Sequence, residues 1–518
     1  MLKKHYLTIL GISAIIMFLY FCLRLWHITS LPLFTDEAIY IRWAQIAKQD
    51  ASWRFISLTD GKQPMYVWVA MVLLKFFKDP LFAGRLVSVI AGAATTIGLF
   101  FLGNEIFRPK QAKYKIFEFS RQSVTLGLLS SFIYVIYPFG LVYDRMALYD
   151  SLVGAFAVWA LYLLFVLVRS LRLDVALIAG IVIGGGVLTK TNAFFSMGSM
   201  PFLLLIFNWK NKNLKESLIK FVGLSLVVFV VANAMYSILR LSPFYHIIAD
   251  KNALFVYPIG EWLKHPFTYF WSNMHALLDW LTTYLSIPGI ILILAAFIVK
   301  RDNLKEKIVL ALWFLFPFVY LAFFGNTIYP RFILFMTLPL IPLIAYSFYM
   351  LCTRFKASWM RVPLALFAFT LFVYTDFLVL TNFSTSPIPK ADTGQYVNSW
   401  SGGNGVAQSV KFFKEKSENQ KIYIATEGTF GLMPFGLEMY FANNPNVKIK
   451  AYWPIKDVPP AEVLASAKVM PTYAIFYQPC PSCGRYGGDT PPTWHVKKIL
   501  TFKQGTSLDY YSVYQILP

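Results

Sequence analysis

Two adjacent carboxylates, Asp36 and Glu37, stand in the stretch Leu33-Phe34-Thr35-Asp36-Glu37-Ala38-Ile39-Tyr40, shortly after the first membrane-length apolar run. A carboxylate can take the proton of an attacking hydroxyl, and two adjacent carboxylates at a membrane surface need a reason. Helix capping is one: Thr35 or Asp36 can accept the free amide hydrogens that open the following helix, where an acid also suits the helix dipole. The segment Asp60-Gly61-Lys62-Gln63-Pro64-Met65-Tyr66-Val67-Trp68 then brings a lysine to the same side before the next full span. A carboxylate and a cation facing one pocket suit a reaction in which one removes a proton and the other steadies an anionic leaving group.

Other charged points stand at the ends of apolar runs. In Tyr143-Asp144-Arg145-Met146-Ala147-Leu148-Tyr149-Asp150-Ser151, two acids flank an arginine. A local salt bridge with Asp150 as helix cap explains this cluster, and so does an acceptor pocket formed by Asp144, Arg145 and Asp150. Arg331, in Asn326-Thr327-Ile328-Tyr329-Pro330-Arg331-Phe332, either snorkels to lipid headgroups or offers its guanidinium to a phosphate. Gly184-Gly185-Gly186-Val187-Leu188-Thr189-Lys190 lacks the strand and helix context of a phosphate loop, so its glycines read as close helix packing. His246, His265 and His275, with Glu261, match no metal spacing and fit an amphipathic interfacial segment. Cys480 and Cys483 form a CxxC with no second pair for zinc, so a local disulfide or two free thiols are expected and no catalytic part.

The elements that must position these residues are membrane helices. The chain has 518 residues, 57% hydrophobic and 14% charged, with mean hydropathy +0.56, which excludes a soluble enzyme. Its apolar runs predict about eleven transmembrane helices. The net charge of +21 does not point to nucleic acid, because the basic residues gather in short connectors. These hold Lys3 and Lys4; Arg108, Lys110, Lys113, Lys115 and Arg121; Arg169 and Arg172; Lys210 to Lys220; Lys300 to Lys307; and Arg354, Lys356 and Arg361. On the positive-inside rule that face is cytoplasmic, the N-terminus with it, and the hydrophilic region from about Ser384 is extracytoplasmic. Between the first two spans, a helix is expected from Asp36 to about Lys48, and Pro64 to Phe77 reads as interfacial or re-entrant.

From Pro387 the composition shifts to Pro, Gly, Asn and Ser. Strand-like segments at 421–425, 447–452, 473–477, 496–502 and 510–516, with helices at 405–416, 435–442 and 461–467, predict a small α/β domain. The expected division is a transmembrane catalytic part, 1–385, and an extracytoplasmic α/β part, 386–518, serving recognition or bracing.

Taken in order, the DE pair after the first span, the K-x-P-x-Y-x-W segment, the acidic cluster after span three, the G-x-x-L-T-K turn and Y-P-R-F resemble a known group. It is the bacterial protein O-mannosyltransferase and aminoarabinose transferase group, family 39 glycosyltransferases of GT-C fold. Lys62-Gln63-Pro64 departs from the Lys-Pro-Pro of many relatives, and the tail differs from that of eukaryotic members, leaving the acceptor open. The resemblance implies a polyprenyl-phosphate monosaccharide donor at the outer membrane face and a hydroxyl acceptor on protein, lipid or glycan. For that reaction Asp36 is the expected general base with Glu37 orienting the site, Lys62 and Arg331 hold the donor phosphate, and the transfer inverts. No metal or other cofactor is assigned, although other GT-C branches use a metal with a diphosphate donor. The competing class, a transporter or lipid flippase, predicts charges at mid-membrane and an internal repeat; the sequence shows charges at span ends and no repeat.

Overall fold

The computed structural model describes residues 2–109, 114–116, 118–355 and 357–517, with the side chains of 2–6, 358 and 483 left aside. Lys110, Lys113 and Lys356 of the basic connectors lie outside the described residues. The chain opens with α1 (Leu2–Leu25), α2 (Thr35–Gln49), α3 (Met65–Leu73) and α4 (Pro80–Ile106). There follow α5 (Arg121–Val135), α6 (Pro138–Asp144), α7 (Tyr149–Ser170) and α8 (Leu173–Thr189). Among the described residues eight helical segments are long and apolar enough to cross a membrane: most of α1, then α4, α7, and 214–241, 270–298, 304–324, 330–354 and 361–381. The chain is an integral membrane protein. α5 and α6 form a ninth span if their pair, bent by 61°, is counted as one. The expected eleven counted apolar runs, but some are not continuous spans: α8 has 17 residues, and the run after it breaks into Phe194–Gly198 and Met200–Leu205. α3, with nine residues, is too short to span, as its expected interfacial or re-entrant role requires.

The bend between α5 and α6 follows from Pro138, which has no amide hydrogen for the carbonyl of Tyr134. Arg24 of α1 adds donors at the bend, giving Nη2 to the Tyr134 carbonyl at 3.1 Å and Nη1 to that of Val135. The glycines of α8 allow close packing: a Cβ on Gly185 would stand 2.6 Å from Phe156 of α7, and one on Gly184 would stand 2.4 Å from Met235.

A short strand β1 (Leu33–Phe34) pairs antiparallel with β2 (Gly402–Gly403), Leu33 opposite Gly403 and Phe34 opposite Gly402. Only glycine fits β2, since a Cβ on Gly403 would lie 2.5 Å from the Leu33 carbonyl oxygen. Beyond it, β3 (Ile422–Glu427), β4 (Val447–Tyr452), β5 (Thr472–Phe476), β6 (Val496–Lys503) and β7 (Tyr510–Ile516) form one sheet in the order β4-β3-β5-β7-β6. β3 runs parallel to β4 and β5, and β7 antiparallel to β5 and β6. Helices Val406–Ser417, Leu432–Phe441 and Ala461–Ala467 accompany it, completing the expected α/β fold. This region is joined to the membrane part by more than its covalent link. Besides the β1–β2 pair, the Thr35 amide and hydroxyl both donate to the Ser401 carbonyl, and Arg42 on α2 donates to Glu438 at 2.8 Å.

Candidate active site

α2 begins at Thr35, and its first turn carries both acids. Glu37 takes the capping work: Oε2 accepts the Phe34 amide at 3.0 Å, Oε1 accepts the Ala147 amide at 2.7 Å, and both oxygens accept from Arg85 of α4, at 2.8 and 2.7 Å. Its side chain and that of Arg85 are fully buried. Glu37 is expected to orient the site beside Asp36, and these contacts are those of an orienting residue. Every oxygen is engaged by protein, so Glu37 positions the turn that presents Asp36.

Asp36 is left to face the other way. Its Oδ1 lies 3.5 Å from Lys62 Nζ and its Oδ2 lies 3.0 Å from Arg331 Nη1, with all three side chains partly exposed. Burial pushes the Asp36 carboxyl up, but Lys62 and Arg331 outweigh it, with help from the Tyr40 hydroxyl, and hold it at about 2. Lys62 arrives from the loop before α3, whose left-handed Gly61 (φ 65°) turns the chain after a short 3-10 helix, Ile56–Asp60. Lys62 also lies 4.8 Å from the Tyr40 ring centroid. Arg331 opens the short 3-10 helix Pro330–Ile333, its guanidinium 5.1 Å from the Tyr329 ring and 5.7 Å from that of Phe34.

Sequence reasoning left several members out. Asp150 does not cap α7: Leu148 is at the cap position, and Asp150 in the first turn accepts from Lys190 Nζ at 2.7 Å. Burial pushes the Lys190 ammonium down against the pull of Asp150. Lys190 lies 4.5 Å from the ring of Phe332, the neighbour of Arg331, so it shares the site. The glycines before it explained the segment well enough to hide the lysine; its signal was the end of an apolar helix. Asp60 completes the cluster, 3.3 Å from Lys62 and 2.7 Å from Lys251. Four cations thus meet three carboxylates in a partly exposed cluster, a net positive charge suited to an anion.

Asp144 and Arg145 do not form the expected pair, nor do they join this cluster. Asp144 accepts from Tyr20 and Tyr134, each at 3.1 Å, and from Arg24 at 3.4 Å, with no exposed surface. Arg145 gives Nη1 to the carbonyls of Leu23 and Trp26 at 2.9 and 2.7 Å, capping the end of α1. Both hold α1 against the α5–α6 bend. Asp392, another unanticipated acid, is fully buried and accepts from Tyr143 at 2.8 Å and from Tyr284. Burial pushes its carboxyl up to about 7 against those hydrogen bonds. Among the described residues no group of three His, Cys, Asp or Glu side chains is arranged to hold a metal ion.

At the opposite ends of α4 and α7, basic residues are paired. Arg169 contacts Glu105 at 2.6 Å and Glu306 at 3.0 Å, and Arg108 contacts Glu105 at 3.1 Å. The mixed-charge cluster and the basic connectors therefore occupy different ends of the same helices.

Residues 61–236 match the family model described as dolichyl-phosphate-mannose-protein mannosyltransferase. No curated protein matches the chain in sequence. ArnT from Cupriavidus metallidurans in the apo state superposes with TM-score 0.56 and 12% identity, over 99% of this chain and 98% of that one. The same protein bound to undecaprenyl phosphate gives the same values. Archaeal oligosaccharyltransferase AglB from Archaeoglobus fulgidus, in complex with an inhibitory peptide and a dolichol-phosphate, matches with TM-score 0.51 and 13% identity over 91% of this chain and 69% of that one. The likeness is one of fold, and it spans the tail as well as the helices: the chain is a membrane protein of the GT-C glycosyltransferase fold.

Proposed function

We propose that the protein transfers a monosaccharide from a polyprenyl-phosphate donor to a hydroxyl acceptor at the outer face of the cytoplasmic membrane, with inversion. The observation that carries this reading is the contact of Asp36 with both Lys62 and Arg331. The family-model match and the ArnT fold support it, and that relative binds undecaprenyl phosphate. The N-terminus and the basic connectors are cytoplasmic on the charge rule, which puts the tail and the Asp36 cluster outside.

In this mechanism Lys62 and Arg331 receive the donor phosphate, with Lys190 close by. An acceptor hydroxyl attacks the anomeric carbon, its oxygen forms the new glycosidic bond, and its proton passes to an Asp36 oxygen. The bond from the anomeric carbon to the phosphate oxygen breaks, and polyprenyl phosphate leaves with the electron pair, its charge met by the same cations. A carboxylate held at about 2 is a weak base. Donor phosphate drawn onto Lys62 and Arg331 offsets their charge, so the proton affinity of Asp36 rises when substrate is bound. Asp150 keeps Lys190 in place and borders the acceptor side.

The test is to incubate purified protein with a panel of labelled polyprenyl-phosphate hexoses and pentoses and to measure released polyprenyl phosphate. Sugar-dependent release by the wild type, lost in Asp36→Asn, is the expected result. No release from any donor would reject the assignment.

A further inference from the structure

On α2, Asp36, Tyr40 and Trp43 follow one another at helical spacing and line one face. Lys62 Nζ lies 6.0 Å from the Trp43 ring centroid, and the Trp43 ring lies 6.1 Å from that of Phe430. Phe430 comes from the tail. It sits in the loop Gly428-Thr429-Phe430-Gly431 that leaves the carboxyl end of β3, the central strand of the parallel part of the sheet. Ligands of α/β sheets are commonly met at such strand ends.

The loop is built and placed, not merely long. Gly428 and Gly431 have φ of 90° and 113°, values that L side chains rarely adopt. Glu427 braces its base from a buried position, accepting the Tyr477 and Gln478 amides at 2.8 and 2.9 Å. At the far end, a Cβ on Gly431 would stand 3.3 Å from the methyl of Thr35, the residue before Asp36. Trp43 is only 2% exposed, yet Phe430 at the loop's centre is 47% exposed. Trp43 and Phe435, its ring centroid 5.5 Å away edge-on, hold the Phe430 ring from two sides and leave the rest of it exposed, a surface that the C–H face of a sugar can cover while its hydroxyls point toward the charged groups beyond Trp43.

We propose that Phe430 is a specificity residue contributed by the extracytoplasmic region, against which the sugar of the donor stacks while Lys62 and Arg331 hold its phosphate. This rests on the donor reading above. It makes the tail part of the sugar subsite and so gives the tail a role in choosing the sugar.

Affinities of the full-length protein for bare undecaprenyl phosphate and for undecaprenyl-phosphate hexoses and pentoses test it. Phe430→Ala should weaken the preferred sugar-bearing lipid by about tenfold, the scale of an aromatic stacking contact, and leave bare undecaprenyl phosphate unchanged. Phe430→Trp should keep the sugar preference, and Phe430→Leu, apolar but without an aromatic face, should lose it as the alanine variant does. Equal weakening of both lipids, no change in either, or a rise only in acceptor KM would overturn the proposal. A wild type that binds neither lipid would overturn the donor reading itself, whereas one that binds bare lipid and discriminates no sugar would overturn the stacking role alone.

Discussion

Arg331 Nη1 meets Asp36 Oδ2 at 3.0 Å, joining the loop after the first span to the start of a late one. Lys62 takes the other oxygen, so this carboxylate is shared between two cations that a phosphate would also seek. The proposed base and the proposed phosphate site are thus one electrostatic unit, and the variants below separate their roles.

Asp36→Asn keeps size and hydrogen bonding while removing the basic oxygen. Single-turnover transfer should fall by a factor of about 10² to 10⁴, and donor affinity should hold or rise, since the cations lose their internal partner. Glu37 closes the start of α2, so no helix cap is lost with Asp36. An Asn variant with wild-type turnover would remove the base from the mechanism.

Lys62→Ala and Arg331→Ala should weaken both donor affinity and rate, because the phosphate is anionic before and after bond cleavage. They should also move the acid side of the rate profile. The free-protein value of about 2 for Asp36 depends on these cations; with one removed the carboxyl protonates at higher pH, and the acid limb of kcat/KM shifts upward. Profiles measured from pH 3 to 7 check the direction, and a downward shift contradicts it.

Glu37→Ala should act on stability. It leaves the buried Arg85 guanidinium without a carboxylate and the Phe34 and Ala147 amides without an acceptor, a change of about 3 to 5 kcal/mol for breaking a buried pair. Thermal unfolding in detergent should show a large fall in midpoint. A variant with unchanged midpoint and abolished turnover would give Glu37 a direct part in the reaction instead.

How much of this was legible depended on sequence distance and on competing explanations. The bundle, the tail's five strands and the Asp36, Lys62 and Arg331 set could be read from apolar run lengths, alternation and charges at run ends. Arg24 and Arg85 could not, because each lies inside an apolar run and finds its partner only through helix packing. Asp144 and Arg145 looked like a local pair, but α1 offers Asp144 a guanidinium and Arg145 a row of carbonyls. The docking of the tail was hidden because β1 and β2 are two residues each, and two glycines carry no strand signal.

Asp392 gives the docked tail a pH dependence. Its carboxyl titrates at about 7 in the fold and near the ordinary value of about 3.9 when unfolded. A raised folded value means that the native state holds the proton more tightly. Below about pH 4 both states are protonated and nothing is lost. Between there and pH 7 the unfolded chain ionises first, so stability falls as pH rises, by at most about 1.4 kcal/mol per pH unit. Above 7 the loss levels off. Tyr143 and Tyr284 donate to this carboxyl, Tyr396 donates to Tyr143 at 3.2 Å, and Arg331 and Asp150 act from farther away. Asp392→Asn keeps an acceptor for the tyrosines and cannot ionise, so its unfolding midpoint should lose most of the decline between pH 5 and 7 and exceed that of the wild type at pH 8. Midpoints in detergent across that range decide it, and parallel curves for the two proteins would place the titrating group elsewhere.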